Sequence, residues 1–301
     1  MIQPNVELWM PGDEELEHLA RCARICYRTQ GGKRTPMELA QQLADSGHLS
    51  MFRHITFYYL VPFHAIGRHS HFYEKLRHSE FVGFWANKPE KRIYLAVNGQ
   101  FWLEHSVDFH PLEKYLGTVH DFERNWKSRW MIRYTFVADT QISTTRELNR
   151  TSPNNISEQS TRYVDFVKKS LDFICKPHWY DGLPRWKRWM VNAMLWVETS
   201  CYKLARKVIG LKAQDAREFL PLCSQSRVAY TYSAKEWRAI LNLRYHGSTG
   251  APHPNAKLIA TFVYERLTAL GYELDPLPKT EYDLKALIAK ITNHKGEKKN
   301  V

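Results

Sequence analysis

Apolar residues along the chain recur with two spacings, and the changes of spacing mark the elements. Residues 13–28 place leucine, alanine and cysteine three and four apart, which predicts an amphipathic helix. Thr35-Pro36-Met37-Glu38 has the order of a capping box, with proline at the first helical position. The threonine hydroxyl and the glutamate carboxylate can then satisfy each other's backbone N–H groups, opening a helix that ends near Gly47. Residues 54–62 (HITFYYLVP) are aromatic and β-branched and predict a strand, with 92–98 and 132–137 as further candidates. The helical period dominates the second half, over residues 158–176, 185–209, 234–245 and 255–270. Glycine and proline make 247–254 a loop, and a short helix with a frayed basic tail is expected at 279–301. Long helices with few strands predict an α+β fold, its helices packed around a small mixed or antiparallel sheet.

Composition narrows the function. No stretch approaches the roughly eighteen apolar residues of a membrane span, and residues 1–10 lack the basic-then-apolar order of a secretion signal. A soluble, intracellular (cytoplasmic) protein is therefore expected. Five scattered cysteines, Cys22, Cys26, Cys175, Cys201 and Cys223, suit buried thiols in a reducing compartment better than a disulfide framework. Cys22 and Cys26 stand one helical turn apart, but no second pair has metal-ligand spacing, and no metal is expected. His64, His69, His71 and His78 cluster without carboxylates at a recognised spacing, which reads as a basic, aromatic surface. The net charge of +12 favours anionic partners, either nucleic acid or phosphorylated small molecules. Trp186-Lys187-Arg188-Trp189 interleaves cations with aromatic rings, which suits a single-strand binder as well as a nucleotide enzyme. Trp186, Trp189, Met190, Met194 and Trp196 form a stripe at helical spacing, the mark of core or subunit interface.

Five segments carry the chemistry. Arg150 is followed at the spacing of an Arg-His-Arg-x7-Ser pattern by Ser160, and then by Arg162-Tyr163. Residues 47–57 read Gly-His-x-Ser-x-x-x-His-x-x-Phe, with His54 as the second histidine, ranked above His48 for function. Ala216-Arg217-Glu218-Phe219-Leu220-Pro221 and residues 237–244 (WRAILNLR) follow, and Ala23-Arg24-Ile25-Cys26-Tyr27 lies near the start. In this order, over about residues 20–270, the chain resembles the flavin-dependent thymidylate synthases.

The resemblance implies C5 methylation of dUMP to dTMP, with methylenetetrahydrofolate as carbon donor and hydride passed from NADPH through FAD. It assigns Arg217 and Arg244 catalytic roles on the nucleotide, with Glu147, Arg150, Glu158, Gln159, Ser160, Thr161 and Arg162 beside it. It assigns His54, Thr56, Arg150, Glu158, Ser233 and Lys235 to the cofactor. Ser160 and Arg162, at the start of the expected helix, would offer a hydroxyl, a guanidinium and free N–H groups to a phosphate. The family is homotetrameric, with sites built from several subunits, and needs neither metal nor membrane.

This chain departs from the pattern where the flavin is expected. Thr151 and Ser152 replace histidine and arginine, Ser233-Ala234-Lys235 replaces Asn-x-Arg, and Ala239 replaces a polar residue. Lysine cannot form the bidentate fork of arginine, and alanine offers no side-chain hydrogen bond. These changes motivate an alternative, hydroxymethylation of dUMP or dCMP with weakened flavin dependence. A nucleic-acid-binding module is the competing class. Residues 64–130 form an insertion in a single catalytic domain over residues 1–278, and Tyr94 to Trp102 resembles a run found in the insertion of some relatives.

Overall fold

A computed structural model describes residues 1–12, 14–27, 34–67, 70–150, 155–167 and 173–278. In chain order the first elements are β1 (Asn5–Trp9), α1 (Glu15–Tyr27), α2 (Pro36–Asp45), β2 (Thr56–Pro62) and α3 (His71–His78). Then come β3 (Val82–Asn87), β4 (Arg92–Asn98), α4 (Gly99–Glu104), α5 (Ser106–Phe109) and β5 (Leu116–Gly117). Next are α6 (Val119–Glu123), α7 (Trp126–Arg129), β6 (Arg133–Gln141), α8 (Ile142–Leu148) and β7 (Ile156–Glu158). The last are α9 (Arg185–Lys207), α10 (Ala213–Ala216), β8 (Gln225–Ser233), α11 (Ala234–Arg244) and α12 (Pro254–Ala269). The fold is α+β, as expected, but its strands form two antiparallel sheets rather than one.

The first sheet has the order β1-β6-β8-β7. All nine residues of β6 are buried, because the strand is central and both of its faces are covered. On one face Trp237, Ile240 and Leu241 of α11, with Ile259, Val263 and Leu267 of α12, pack on Tyr134, Phe136 and Tyr230. On the other, Cys22 and Ile25 of α1 meet Val137 and Ala229. Burying side chains of this size contributes about 1.5–3 kcal/mol each, enough to override weak local propensities. The second sheet, β3-β4-β2-β5, is built largely from residues 64–130 and has its own core around Tyr59, Leu95 and Phe109.

The capping box is present: Thr35 N donates to Glu38 Oε2 at 2.8 Å, and Glu38 N to Thr35 Oγ1 at 3.3 Å. Gly47 ends that segment at φ +73°, a conformation that costs glycine little. Helices 185–209, 234–245 and 255–270 form within two residues of their predicted ends.

The helix expected over 158–176 does not form over its described residues, 158–167 and 173–176. Residues 156–158 pair with β8 as an edge strand, residues 161–163 make a turn, and Ile174 bridges to Ser224. Backbone pairing with a sheet edge wins over the 3.6-residue spacing of Val164 and Val167. The expected element at 279–301, with Thr151, Ser152 and His69, lies outside the described residues. No helix among the described residues is long and apolar enough to cross a membrane.

The tryptophan stripe of α9 is not core within this chain. Trp186, Trp189, Met190, Met194 and Trp196 are all exposed, Trp189 at 72 %.

Candidate functional site

Glu158 ends β7 opposite Val228, which turns its carboxylate toward α8 and the start of β8. Its Oε1 accepts hydrogen bonds from Thr145 Oγ1 and Ser226 Oγ, both at 2.7 Å, and its Oε2 from Asn149 Nδ2 at 2.9 Å. Tyr230 Oη donates to Asn149 Oδ1 at 2.9 Å and so fixes which way that amide faces. Three donors on one half-buried carboxylate hold it in a single orientation.

Arg244, the last residue of α11, reaches the same helix. Its Nη2 donates to the Glu147 carbonyl oxygen at 2.7 Å, and its Nη1 lies 3.7 Å from Glu147 Oε2. Residues nearly a hundred positions apart, Glu147 and Arg244, are thereby joined beside the Glu158 hub. Ser160 N donates to the Cys26 carbonyl at 2.9 Å, and Gln159 N to the Arg227 carbonyl at 2.8 Å. Ser160 Oγ accepts from Arg162 N at 3.2 Å, so the hydroxyl closes a turn rather than capping the expected helix. Thr161 is half-buried, while Arg150 and Arg162 are exposed and the Arg162 guanidinium lies 5.5 Å from the Tyr163 ring centre.

Arg217 stands apart. It opens a short 3-10 turn beside α9 and is exposed, and its side chain makes no hydrogen bond or ion pair among the described residues.

Four of the six predicted cofactor residues, His54, Thr56, Ser233 and Lys235, divide between two cavities, and Arg150 and Glu158 line neither. The first, of about 400 Å³, lies between α1, β2 and the first sheet and includes His18, His54, Thr56, Arg133, Thr135 and Thr231. Across it His18 Nε2 meets Thr135 Oγ1 at 2.9 Å, and Thr231 Oγ1 meets His54 Nδ1 at 2.7 Å. Burial, reinforced by Arg21 and Arg133, holds His18 down to about 4. His54 is held down to about 3 by burial first, then by His18 and Arg133. Both imidazoles are therefore neutral at ordinary pH, and His54 Nε2 has no hydrogen-bond partner.

The second cavity, of about 430 Å³, brings Ser233, Lys235 and Ala239 together with Asn98, Asn155 and Trp130. Ser233 Oγ is committed to capping α11, accepting from Glu236 N at 3.2 Å. Lys235 is exposed.

Arg133 belongs to both linings. It is 8 % exposed, and its guanidinium donates to Thr56 Oγ1 at 3.1 Å and to the Thr231 carbonyl at 3.0 Å. No carboxylate pairs with it directly among the described residues. Desolvation lowers its pKa, and the field of Glu236 opposes that shift. A buried cation held by neutral acceptors alone points toward a site for an electron-rich ligand.

Sequence reasoning missed His18, Arg133, Thr135 and Thr231. The available signal was Arg133 among the aromatic and β-branched residues of 132–137, a strand pattern in which a charge is costly. Among the described residues no group of three histidine, cysteine or acidic side chains could hold a metal ion. Burial raises the thiols of Cys22, Cys26, Cys175 and Cys223, so none is primed as a nucleophile.

Two solved structures of thymidylate synthase X from Helicobacter pylori, both described with FAD and dUMP, match this chain at 17 % identity and a TM-score of 0.37. Each match covers 49 % of this chain and 73 % of the other. No curated protein matches. The thymidylate synthase complementing protein family matches residues 114–267, a span that includes Glu147, Glu158, Arg217 and Arg244 and leaves His54 and Thr56 outside. With that family covering just over half of its length, the chain belongs to the thymidylate synthase complementing proteins, the ThyX family.

Proposed function

We propose that the protein transfers a one-carbon unit to C5 of dUMP and forms dTMP. Methylenetetrahydrofolate is the carbon donor, and NADPH is the source of hydride through FAD. The observation that carries this reading is the junction of Arg244 with Glu147 beside the locked Glu158 carboxylate. Attack by C5 builds negative charge on the pyrimidine carbonyls, and a guanidinium fixed beforehand stabilises it without reorganising. Arg244 takes that role. Arg150, Ser160, Thr161 and Arg162, near the pinned Gln159, supply the donors that a phosphate dianion needs. Glu158 orients the pocket through Thr145, Asn149 and Ser226.

The residues present fit a flavin. The second cavity has a size suited to one planar ring system, offers Lys235 as a point charge for a phosphate, and contains buried polar atoms without partners. When bound, the flavin supplies the hydride that completes the methyl group. His54 and Thr56 form the wall of the neighbouring cavity, with Arg133 between the two.

The Arg217 side chain has no partner among the described residues, and the exposed apolar face of α9, the helix its turn packs on, suits a homotetramer in which a second copy supplies that arginine. The catalytic domain is residues 1–278, with 279–301 as its tail, and it works in the cytoplasm on soluble nucleotide and folate.

Ala239 on the lining of the second cavity favours a second reading, hydroxymethylation of dUMP or dCMP, since alanine cannot hydrogen-bond a flavin. Incubating the protein with dUMP or dCMP, methylenetetrahydrofolate, FAD and deuterated NADPH separates the two by product mass. Deuterium in a 5-methyl product supports the first, and an unlabelled 5-hydroxymethyl product supports the second. Steep salt dependence of oligonucleotide binding without affinity for dUMP would overturn both in favour of a nucleic-acid module.

A further inference from the structure

The hairpin of β3 and β4 lies outside the family-matched span, yet it forms a wall of the second cavity. We propose that this hairpin is a recognition wall, in which Asn98, together with Asn155, binds the lactam edge of a planar heterocycle, its adjacent carbonyl and N–H. The inference rests on the one-carbon-transfer reading above and goes beyond it in giving the inserted sheet a task.

Asn98 closes β4 and is 1 % exposed. Its Oδ1 accepts from Phe101 N at 2.9 Å and caps α4, while its Nδ2 has no partner among the described residues. Asn155 is 2 % exposed; its carbonyl accepts from Thr231 N at 3.0 Å, while its Oδ1 has no partner among the described residues. A buried polar atom left unpaired costs about 1–3 kcal/mol, so folded chains rarely retain one without something to meet it. Here one cavity carries a spare donor and a spare acceptor, the complement of a carbonyl beside an N–H. Phe84 and Trp130 add flat apolar surface to the lining, on which a ring can stack, and Arg77 and Lys235 add positive charge for an acidic tail.

The wall is seated firmly on the family core. A Cβ on Gly83 of β3 would lie 3.3 Å from both Ala96 Cβ and Met131 Cε, so glycine is what lets the strand approach Met131 so closely. The inserted sheet therefore cannot draw back from the cavity without losing that contact.

The lactam edge is common to the flavin ring, the pterin of folate and the uracil of dUMP, and binding measurements separate them. Calorimetric titration of the full chain with FAD, with methylenetetrahydrofolate and with dUMP is compared for wild type, N98D and N155L. Asn98→Asp keeps the oxygen that caps α4 and replaces the spare donor with a second carboxyl oxygen; Asn155→Leu removes the spare acceptor at similar volume. The expected result is a loss of about tenfold or more in affinity for one ligand in both variants, with the other two unchanged. The affected ligand identifies the occupant. If N98D does not fold, the same selective loss in N155L carries the inference. Equal affinities in wild type and variants for all three ligands overturn it, as does parallel weakening of all three. Product analysis of the wild type keeps the two levels apart. If dTMP forms while the variants bind normally, the wall fails and the function stands. A wild type that binds none of the three and forms no product overturns both.

Discussion

The hydroxyl oxygens of Thr135 and Thr231, direct partners across β6 and β8, lie 2.7 Å apart and join His18 to His54. Each hydroxyl donates one hydrogen, so a fully bonded chain runs in one direction only, with one imidazole donating and the other accepting. Adding a proton to the accepting imidazole leaves two donors facing each other. The chain and the burial thus favour the same state, two neutral histidines.

That state makes folding sensitive to acid. In the unfolded chain both histidines take up a proton near pH 6.5, whereas the folded chain holds them at about 4 and about 3. The unfolded form therefore binds more protons between pH 6.5 and these values, and stability falls as pH falls through that window. The slope is about 1.4 kcal/mol per group per pH unit once the unfolded histidines are protonated. Urea melts between pH 7 and 5 should show this loss in wild type and a shallower loss in His54→Gln. An identical slope in the variant would rule out His54 as a source.

Thr231→Val removes the central link and keeps the β-branched shape. It leaves His54 Nδ1 and Thr135 Oγ1 each short of a partner in a buried site. A destabilisation of about 1–3 kcal/mol is expected from chemical denaturation, with far-ultraviolet circular dichroism unchanged. A variant as stable as wild type would show that water replaces the link without cost.

Why Thr135 and Thr231 escape sequence reading follows from where their partners come from. Thr135 and Thr231 are separated by 96 positions and meet only through strand register, which no local spacing encodes. Glu158, Ser160, Arg162 and Arg244 can be singled out as candidates from sequence because they sit in short ordered segments. The register of β7 was not legible, since three residues on a sheet edge leave too short an alternation to outweigh the helical spacing after them. The capping box of α2 was legible because both of its partners lie within four residues. The second sheet was legible only in β2 and β4. Gly83 breaks the alternation of β3 at the place where close packing on Met131 requires it.

Glu158→Gln tests the hub. The carboxylate accepts from three donors, and a glutamine amide turns one acceptor into a donor facing a threonine, a serine or an asparagine. Thermal melting should register a loss of about 1–3 kcal/mol, and titration with dUMP should show weakened binding. Unchanged dUMP affinity in a destabilised variant would reduce Glu158 to a structural role.

Arg244→Lys keeps the charge and loses the fork that reaches Glu147 while facing a ligand. A drop of about 100-fold or more in turnover is expected, because a lysine cannot satisfy both positions at once. Steady-state kinetics should show the loss mainly in kcat. A change confined to KM would mean that Arg244 binds the nucleotide uniformly and does nothing specific in the transition state.

Arg217 and Arg244 offer the sharpest test of a shared site. The turn bearing Arg217 packs against α9, where Ala216 and Leu220 contact the cluster of Leu195 and Tyr202. The opposite face of that helix exposes Trp189 and Met194, an apolar surface of the kind that a second subunit covers. If one copy supplies Arg217 to the site holding another copy's Arg244, the variants R217A and R244A are each inactive for different reasons. Unfolding and refolding them together then creates some sites with both arginines, and activity returns that neither variant has alone. Sites built within one chain would give no such recovery, and light scattering would then find the same inactive assembly before and after mixing. Trp189→Glu supplies the control, since a charge on that face should lower the assembly state and abolish the recovery together.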